Sequence, residues 1–178
     1  AVLTALPYLR EDASVVILYG DVPLITTATL TKMLSAVSSN SLGLLTVTLG
    51  NPHGYGRIVR AADGQIESIV EQKDASPEQQ KLCEVNTGVM ALTTEQLARW
   101  LPVIGNSNTQ GEYYLTDIIA LARRDGCRVT SVQPSSASEV EGVNNRQQLA
   151  ALERAYQRQL AEQLMASGTT LADPARFD

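Results

Sequence analysis

The stretch Leu18-Tyr19-Gly20-Asp21-Val22-Pro23-Leu24 decides how the fold of this chain is interpreted. It follows Val15-Val16-Ile17, a short β-branched run that is typical of a strand buried on both faces of a parallel sheet. Pro23 has no N–H to donate, so it ends any strand ladder. We therefore expect Asp21 just past the carboxyl end of a central strand, where open α/β sheets bind their ligands.

Two interpretations of Asp21 are open at this point. Its carboxylate is a hard oxygen ligand, which suits a Mg²⁺ ion that also binds phosphate. Alternatively, Asp21 caps a helix that begins near Thr26, a role that aspartate also fills well. The stretch by itself supports both equally.

The composition bounds the class of protein. The chain has 178 residues, 44% of them hydrophobic, which fits one globular domain with at most an appendage. A net charge of -5 argues against a nucleic-acid partner. No window approaches the ~18 apolar residues of a membrane span and no signal peptide opens the chain. Cys83 and Cys127 lie far apart without a metal-ligand spacing, so we expect reduced thiols and a cytoplasmic location.

The pattern of apolar residues predicts an α/β fold with a mixed sheet. Residues 26–37 have helical spacing and lie between two strand-like runs, 15–18 and 42–49, which predicts a right-handed βαβ unit. Asp63-Gly64 separates two further short runs and predicts a hairpin. Residues 145–167 carry one long apolar stripe, which predicts a C-terminal helix.

Three further local patterns predict elements. Thr93 followed by Gln96 three residues later predicts a capping box at the start of a helix over residues 93–101. Residues 112–124 carry apolar residues on one face, which predicts another helix, and residues 139–143 alternate like a strand.

Polar residues mark three ends or breaks in this pattern. Asn86-Thr87-Gly88 interrupts a strand predicted for residues 84–92, and such breaks are expected at functional sites. Glu71 ends the hairpin. Asn144 precedes the long helix and is either a ligand or a helix N-cap. The one histidine, His53, has no evident orienting partner, so we interpret it as a surface loop residue.

Six motifs occur together along the chain. They are Leu18-Tyr19-Gly20-Asp21-Val22-Pro23, Gly54-Tyr55-Gly56-Arg57-Ile58, Ile69-Val70-Glu71, Val85-Asn86-Thr87-Gly88, Gln110-Gly111-Glu112-Tyr113-Tyr114-Leu115-Thr116-Asp117 and Val140-Glu141-Gly142-Val143-Asn144-Asn145. This combination closely resembles the bacterial bifunctional N-acetylglucosamine-1-phosphate uridyltransferase/glucosamine-1-phosphate acetyltransferase family, GlmU, from about residue 14 to residue 178. The resemblance implies a partial Rossmann-like (GT-A-like) nucleotidyltransferase fold that ends in a long linker helix.

The resemblance also implies roles for individual residues. Tyr19, Gly20 and Asp21 would contact the nucleotide, and Asp21 and Asn144 would share a catalytic Mg²⁺ ion. Gly56 would touch the sugar through its backbone, while Glu71 and Asn86 would hold sugar hydroxyl and N-acetyl groups. An aspartate and an asparagine leave the remaining Mg²⁺ positions to phosphates and water, which agrees with the oxygen preference of this ion.

The implied reaction joins UTP and N-acetylglucosamine 1-phosphate to give UDP-N-acetylglucosamine and pyrophosphate by in-line transfer. In the family the product feeds cell-wall and lipopolysaccharide precursors, and a second site acetylates glucosamine 1-phosphate. Two alternatives stay open. One is a nucleotidyltransferase for another sugar or base, and the other is a catalytically silent fragment that binds a nucleotide sugar.

Departures from the family pattern shape the domain prediction. The chain starts without Met, and the glycine-rich turn, the cationic groups and the uracil-reading residues that open the family are missing. We expect residues 1–146 to be the later part of the uridyltransferase domain, 147–167 a linker helix and 168–178 the start of the acetyltransferase domain. The β-helix that carries acetyl transfer and builds a homotrimer in the family would follow. We expect the chain by itself to be inactive.

Overall fold

The computed structural model describes residues 1–177, which form one six-stranded mixed sheet with helices on both faces. The strands are β1 Ser14–Ile17, β2 Ser41–Thr48, β3 Arg57–Arg60, β4 Ile66–Val70, β5 Glu84–Thr93 and β6 Arg128–Val132. The helices are α1 Val2–Ala5, α2 Thr27–Ser35, α3 Thr94–Trp100, α4 Ile118–Arg124 and α5 Arg146–Ala166. Short 3-10 turns include Leu115–Asp117 and Ala137–Val140. The predicted α/β mixed sheet is confirmed.

Strand β5 is the centre of the sheet. It pairs with β2 along one side, antiparallel, and β2 continues the sheet with a parallel neighbour, β6. On its other side β5 pairs with β1 at residues 90–93 and with β3 at Val85. Strands β3 and β4 form the hairpin predicted from Asp63-Gly64. Strands β1 and β3 therefore share one side of β5, and the β5 residues between them have no strand partner on that side.

The prediction for β1 needs correction. Strand β1 is half-buried, not buried on both faces, and its partner is the antiparallel β5. Strands β1 and β2 still run parallel to each other, with β5 between them and α2 as the connection. The apolar run of β1 predicted a strand correctly, but its antiparallel partner comes more than 70 residues later, by the register Ile17 to Met90.

Alternating side chains of β5 enter two separate cores, as the two-residue period of a strand requires. Met90 and Leu92 pack in the core beneath α3 and α4, together with Trp100 and Ile118. Val85, Val89 and Ala91 point to the opposite face, where Met33 of α2 and Val140 cover them. Because both faces of β5 are covered, the strand holds its interrupted segment, Asn86-Thr87-Gly88, in a fixed position.

Local signals fixed several helix ends. Thr93 and Gln96 form the predicted capping box at the start of α3. The N-cap of α2 is Thr26, whose hydroxyl accepts from the backbone N–H of Thr29 at 3.2 Å. Asp21 therefore does not cap that helix.

Two predicted elements differ from the structure. The helix predicted for residues 112–124 begins as an α-helix only at Ile118, after the 3-10 turn Leu115–Asp117. The strand-like pattern of residues 139–143 is not a strand, because residues 137–140 form a 3-10 turn. Cys83 is exposed, Cys127 is buried, and both are free thiols. Within residues 1–177, the helices are too short or too polar to cross a membrane.

Glu84 allows a prediction about stability and pH. The Arg60 guanidinium donates two 2.7 Å hydrogen bonds to its carboxylate and holds the pKa of Glu84 below its usual range, against the opposing effect of burial. A lowered native pKa adds stability above the unfolded pKa of about 4.3 and loses it as the pH falls through the native value. We expect Glu84→Gln to lower the melting temperature at pH 7, and the difference from wild type to narrow below about pH 4.

Thermal unfolding monitored by circular dichroism between pH 7 and pH 3 measures this effect. Glu67→Gln removes one carboxylate from an exposed position on strand β4 of the same sheet and serves as the matched control. An equal, pH-independent loss in both variants would attribute the effect to net charge and contradict the role of the Arg60 pair.

Candidate active site

Thr87, Gly88 and Val89 lie outside the register of β5 with β2, and the side chains of Asn86 and Thr87 replace ladder hydrogen bonds there. The register of β2 against β5 shifts between Leu44 and Thr46, opposite this break. The Asn86 carbonyl oxygen Oδ1 accepts from the Gly88 N–H at 3.0 Å, and the Thr87 hydroxyl accepts from the Val89 N–H at 3.3 Å. The polar triplet therefore satisfies a bulge inside an otherwise apolar strand.

Asn86 has a side-chain NH₂ group that makes no hydrogen bond within residues 1–177. Its backbone N–H bonds to the Gly56 carbonyl at 2.9 Å, and its side-chain oxygen is taken by Gly88. The side-chain NH₂ makes no hydrogen bond within residues 1–177, although the residue is only 9% exposed. A nearly buried amide with two free donors is suited to a ligand that offers oxygen acceptors.

Tyr19 lies against Gly88, and this contact requires glycine. A Cβ at position 88 would lie 1.7 Å from Cε2 of the Tyr19 ring, and the backbone there has φ +83°. Partial burial, followed by the charges of Glu71 and Asp21, raises the pKa of the Tyr19 hydroxyl, which therefore stays protonated. Tyr19 brings a flat apolar ring and a neutral hydroxyl to the side of the break.

Glu71 is held by a second residue of the site. The Thr116 hydroxyl donates to its Oε1 at 3.2 Å, and Thr116 is itself 8% exposed. Gly56 lies beside the same carboxylate, so closely that a Cβ there would be 3.3 Å from both oxygens and 2.9 Å from Ile69. Glycine at position 56 thus leaves room for Glu71 and exposes backbone next to it.

The loop that carries Gly56 is fixed from behind by Arg57. This guanidinium is 2% exposed and donates to the Tyr55 carbonyl, to the Gln80 carbonyl and to Gln72 Oε1. The same Gln72 oxygen accepts from the Gly54 N–H at 3.2 Å. The positive charge therefore supports the loop from inside the protein and is not presented to the cleft.

Asp21 and Asn144 line the same cleft although 123 positions separate them in the sequence. The Val143 N–H donates to the Asp21 carbonyl at 2.8 Å, and a Cβ on Gly142 would lie 3.4 Å from Asp21 Oδ2. The Asp21 carboxylate and the Asn144 side-chain amide make no hydrogen bond or ion pair within residues 1–177. Both offer hard oxygen donors to one space, so this donor set fits a divalent cation such as Mg²⁺ that takes further ligands from phosphate and water.

The N-cap alternative for Asn144 is wrong. The N-cap of α5 is Asn145, whose side chain accepts from the Gln148 N–H at 2.9 Å. Gln148 in turn accepts from the Asn144 backbone N–H at 2.7 Å. This reciprocal pair satisfies the start of the helix and leaves the Asn144 side chain free.

One cleft of about 540 Å³, a size typical of small-molecule sites, is lined by Asn86, Tyr19, Glu71, Gly56, Asp21 and Asn144. Of the seven residues predicted from the sequence, six line it, and Gly20 lies in the adjoining turn. Further residues also line it, among them Thr87, Thr116 and Gln148, to which the sequence analysis assigned no individual role. Thr87 and Thr116 belong to two of the six motifs, which is the signal that could have identified them. His53 also lines the cleft and remains exposed, as predicted for a loop residue.

The cleft carries negative charge. Asp21 and Glu71 line it, and none of its lining residues within residues 1–177 is a lysine or arginine. Such a space suits a cation and a neutral ligand rich in hydroxyl groups, and it offers no positive side chain to a polyphosphate. In the described part of the chain, no group of three or more His, Cys, Asp or Glu residues is arranged to hold a metal ion.

Sequence comparison relates the chain to proteins named bifunctional protein GlmU. The one from Cellvibrio japonicus is 58% identical over all 178 residues, and the one from Chromohalobacter salexigens is 60% identical over 167 residues. The chain covers 39% and 37% of their lengths, so it spans less than half of these curated relatives. A comparison with protein-family profiles gives no match.

Solved structures share the fold at low sequence identity. A Bacillus anthracis protein named for glucose-1-phosphate thymidylyltransferase, solved with sucrose, has a TM-score of 0.59 at 14% identity and covers 98% of this chain and 62% of its own. A nucleotidyl transferase from Methanothermobacter thermautotroptrophicus has a TM-score of 0.55 at 16% identity, covering 89% of this chain and 57% of its own. These likenesses confirm the Rossmann-like nucleotidyltransferase fold.

The contact between Tyr19 and Gly88 predicts different outcomes for two glycine substitutions. Gly64→Ala and Gly88→Ala both force a side chain into positive φ, at a cost of about 1–2 kcal/mol each. Nothing lies within 4 Å of a Cβ at Gly64, whereas Gly88→Ala must displace the Tyr19 ring. We expect Gly88→Ala alone to shift the Tyr19 resonance of fluorotyrosine-labelled protein in ¹⁹F spectra.

Urea unfolding of both variants measures the shared backbone cost. An unshifted Tyr19 resonance in folded Gly88→Ala would contradict the packing of this ring on Gly88.

Proposed function

Because the whole chain aligns with one segment of the bifunctional GlmU proteins and belongs to that family, we propose that it carries the sugar-binding and metal-binding half of a uridyltransferase site. The complete site would make UDP-N-acetylglucosamine and pyrophosphate from UTP and N-acetylglucosamine 1-phosphate. The observation that carries this proposal is one acidic cleft that joins Asn86, Glu71 and the Gly56 backbone to Asp21 and Asn144.

The sugar half is supported by the hydrogen-bonding groups on one side of the cleft. The free NH₂ of Asn86 donates to sugar or N-acetyl oxygens, and the carboxylate of Glu71, oriented by Thr116, accepts from sugar hydroxyls. The close approach of the Gly56 backbone adds a contact that any side chain there would block. Oriented hydrogen bonds from several groups are what an uncharged sugar ring requires.

The metal half is supported by the unpaired oxygens of Asp21 and Asn144. When bound there, Mg²⁺ would neutralise phosphate charge and orient the phosphates of the two substrates. The role of this chain is then positioning: Asp21 and Asn144 would hold the ion at the phosphate end of the sugar phosphate, while Glu71 and Asn86 would hold the sugar. In-line phosphoryl-type transfer gains most of its rate from such positioning and charge compensation.

We propose the same division of the chain as the sequence suggested, with residues 1–146 in the uridyltransferase domain, 147–167 as the linker and 168–178 as the start of the acetyltransferase domain. The complete protein would act in the cytoplasm as a homotrimer. Light scattering of the full-length protein tests the trimer, and loss of the trimer on truncation after residue 167 would agree with this division.

Turnover by a full-length protein that contains this chain tests the proposal. We expect UDP-N-acetylglucosamine and pyrophosphate to form from UTP, N-acetylglucosamine 1-phosphate and Mg²⁺, and Asp21→Ala to abolish most of this activity. Preference for another nucleotide or sugar phosphate would favour a related nucleotidyltransferase. Binding of UDP-N-acetylglucosamine, without turnover of any pair of nucleoside triphosphate and sugar phosphate, would favour the catalytically silent protein that only binds a nucleotide sugar.

Kinetics of variants at Asn86, Glu71 and Thr116 distinguish a role in binding the sugar from a role in supporting the fold. Asn86→Ala and Glu71→Ala each remove hydrogen bonds of about 0.5–1.5 kcal/mol, so we expect the KM for N-acetylglucosamine 1-phosphate to rise more than the KM for UTP. Thr116→Val should act like a weaker Glu71→Ala, and Thr116→Ser should retain wild-type constants. An equal rise in both KM values would show that these residues support the fold and not the sugar pocket.

A further inference from the structure

Glu139 is a buried carboxylate that the proposed chemistry does not use. It lies in the 3-10 turn Ala137–Val140 and is 5% exposed. Burying an ionised carboxylate costs free energy unless hydrogen bonds compensate it. Here the Thr29 and Thr26 hydroxyls donate to Oε2 at 2.6 and 3.0 Å, and the Ser135 N–H donates to Oε1 at 2.9 Å.

These hydrogen bonds keep the carboxylate ionised. Burial alone would raise the pKa of Glu139, but the donors from Thr29, Thr26 and Ser135 outweigh it and bring the pKa below its usual range. The anion is therefore a permanent acceptor. The start of α2, which provides two of the donors, is joined in this way to a segment 110 to 113 residues later.

The two segments joined by Glu139 are the ones that carry Asp21 and Asn144. Asp21 precedes Thr26 by five residues, and Asn144 follows Glu139 by five. A second link between the segments lies beside the cleft, where the Val143 N–H donates to the Asp21 carbonyl at 2.8 Å. Val140, between Glu139 and Val143, is buried in the core under α2. One link would let the segments rotate about it, whereas two links fix their relative position.

We propose that Glu139 is a positioning residue that sets the distance between the Asp21 carboxylate and the Asn144 amide, and thereby the affinity of the cleft for a divalent cation. The proposal rests on the proposed function of this cleft. Glu139 itself does not line the cleft, and it acts through the backbone that carries the two oxygen donors. Groups that hydrogen-bond directly to metal ligands typically change metal affinity about 10- to 100-fold when they are removed, and for Glu139, which acts through the backbone, we expect the lower end of this range.

Cation binding by the full-length protein tests the proposal without relying on turnover. Mn²⁺ binding, measured by electron paramagnetic resonance with UDP-N-acetylglucosamine present, is compared for wild type, Glu139→Leu and Thr29→Val. Thr29→Val keeps the side-chain shape and removes the 2.6 Å bond, so it remains informative if Glu139→Leu fails to fold. We expect Mn²⁺ affinity to fall about 10-fold or more in Glu139→Leu and less in Thr29→Val. Glu139→Gln should recover part of the loss.

Asp125→Ala is the matched control for lost stability. Asp125 accepts from Trp100 Nε1 at 2.8 Å on the α3 and α4 side of the sheet, remote from the cleft. We expect this variant to lose melting temperature while its Mn²⁺ affinity stays within about twofold of wild type, far below the loss expected for a misplaced ligand. An equal loss of affinity in the control, or unchanged affinity in a folded Glu139→Leu or Thr29→Val, would overturn the proposal.

Kinetics of the same proteins separate the two proposals. The Mg²⁺ concentration for half-maximal velocity should rise in Glu139→Leu, while the KM for N-acetylglucosamine 1-phosphate changes little. A wild-type protein that forms no UDP-N-acetylglucosamine contradicts the proposed function. A wild-type protein that turns over normally, beside Glu139 variants with normal Mn²⁺ affinity, contradicts only the positioning role.

Discussion

The site depends on the loss of three ladder positions in the central strand β5. Strands β1 and β3 pair with the two ends of β5 and leave the segment around Gly88 open on that side. Asn86 and Thr87 replace the missing ladder bonds with side-chain bonds, so the break costs little and stays rigid. The opening receives the Tyr19 ring and presents the Asn86 amide, while both faces of the strand remain packed.

The distribution of charge around this opening explains the arrangement of the remaining residues. Arg57 is buried behind the loop of residues 54–56 and its guanidinium is bonded to carbonyl oxygens, so it supports the loop and does not line the cleft. Asp21 and Glu71 leave the cleft negative. A cation and a neutral sugar therefore suit the residues present, and in the proposed function positive groups outside this cleft would bind the triphosphate.

The sequence predicted correctly the elements that are formed by residues close to one another along the chain. The turn Asp63-Gly64 and the capping box of Thr93 and Gln96 are examples, since each involves neighbouring residues. The antiparallel partner of β1 was missed because it lies far along the chain, and the N-cap of α5 was ambiguous between two adjacent asparagines. The convergence of Asp21 and Asn144 came from family resemblance, not from spacing. Glu139 escaped notice because its partners lie 110 to 113 residues away and its own neighbourhood resembled a strand.

The central claim is that Asp21 and Asn144 together hold a divalent cation at the phosphate end of a sugar-nucleotide site. Anomalous diffraction from crystals of the full-length protein grown with Mn²⁺ and UDP-N-acetylglucosamine tests it most directly. The account predicts a manganese peak bonded to the Asp21 carboxylate and the Asn144 amide oxygen, with the sugar beside Glu71 and Asn86. A manganese peak bound to the nucleotide but away from both side chains, or a sugar outside this cleft, would contradict it.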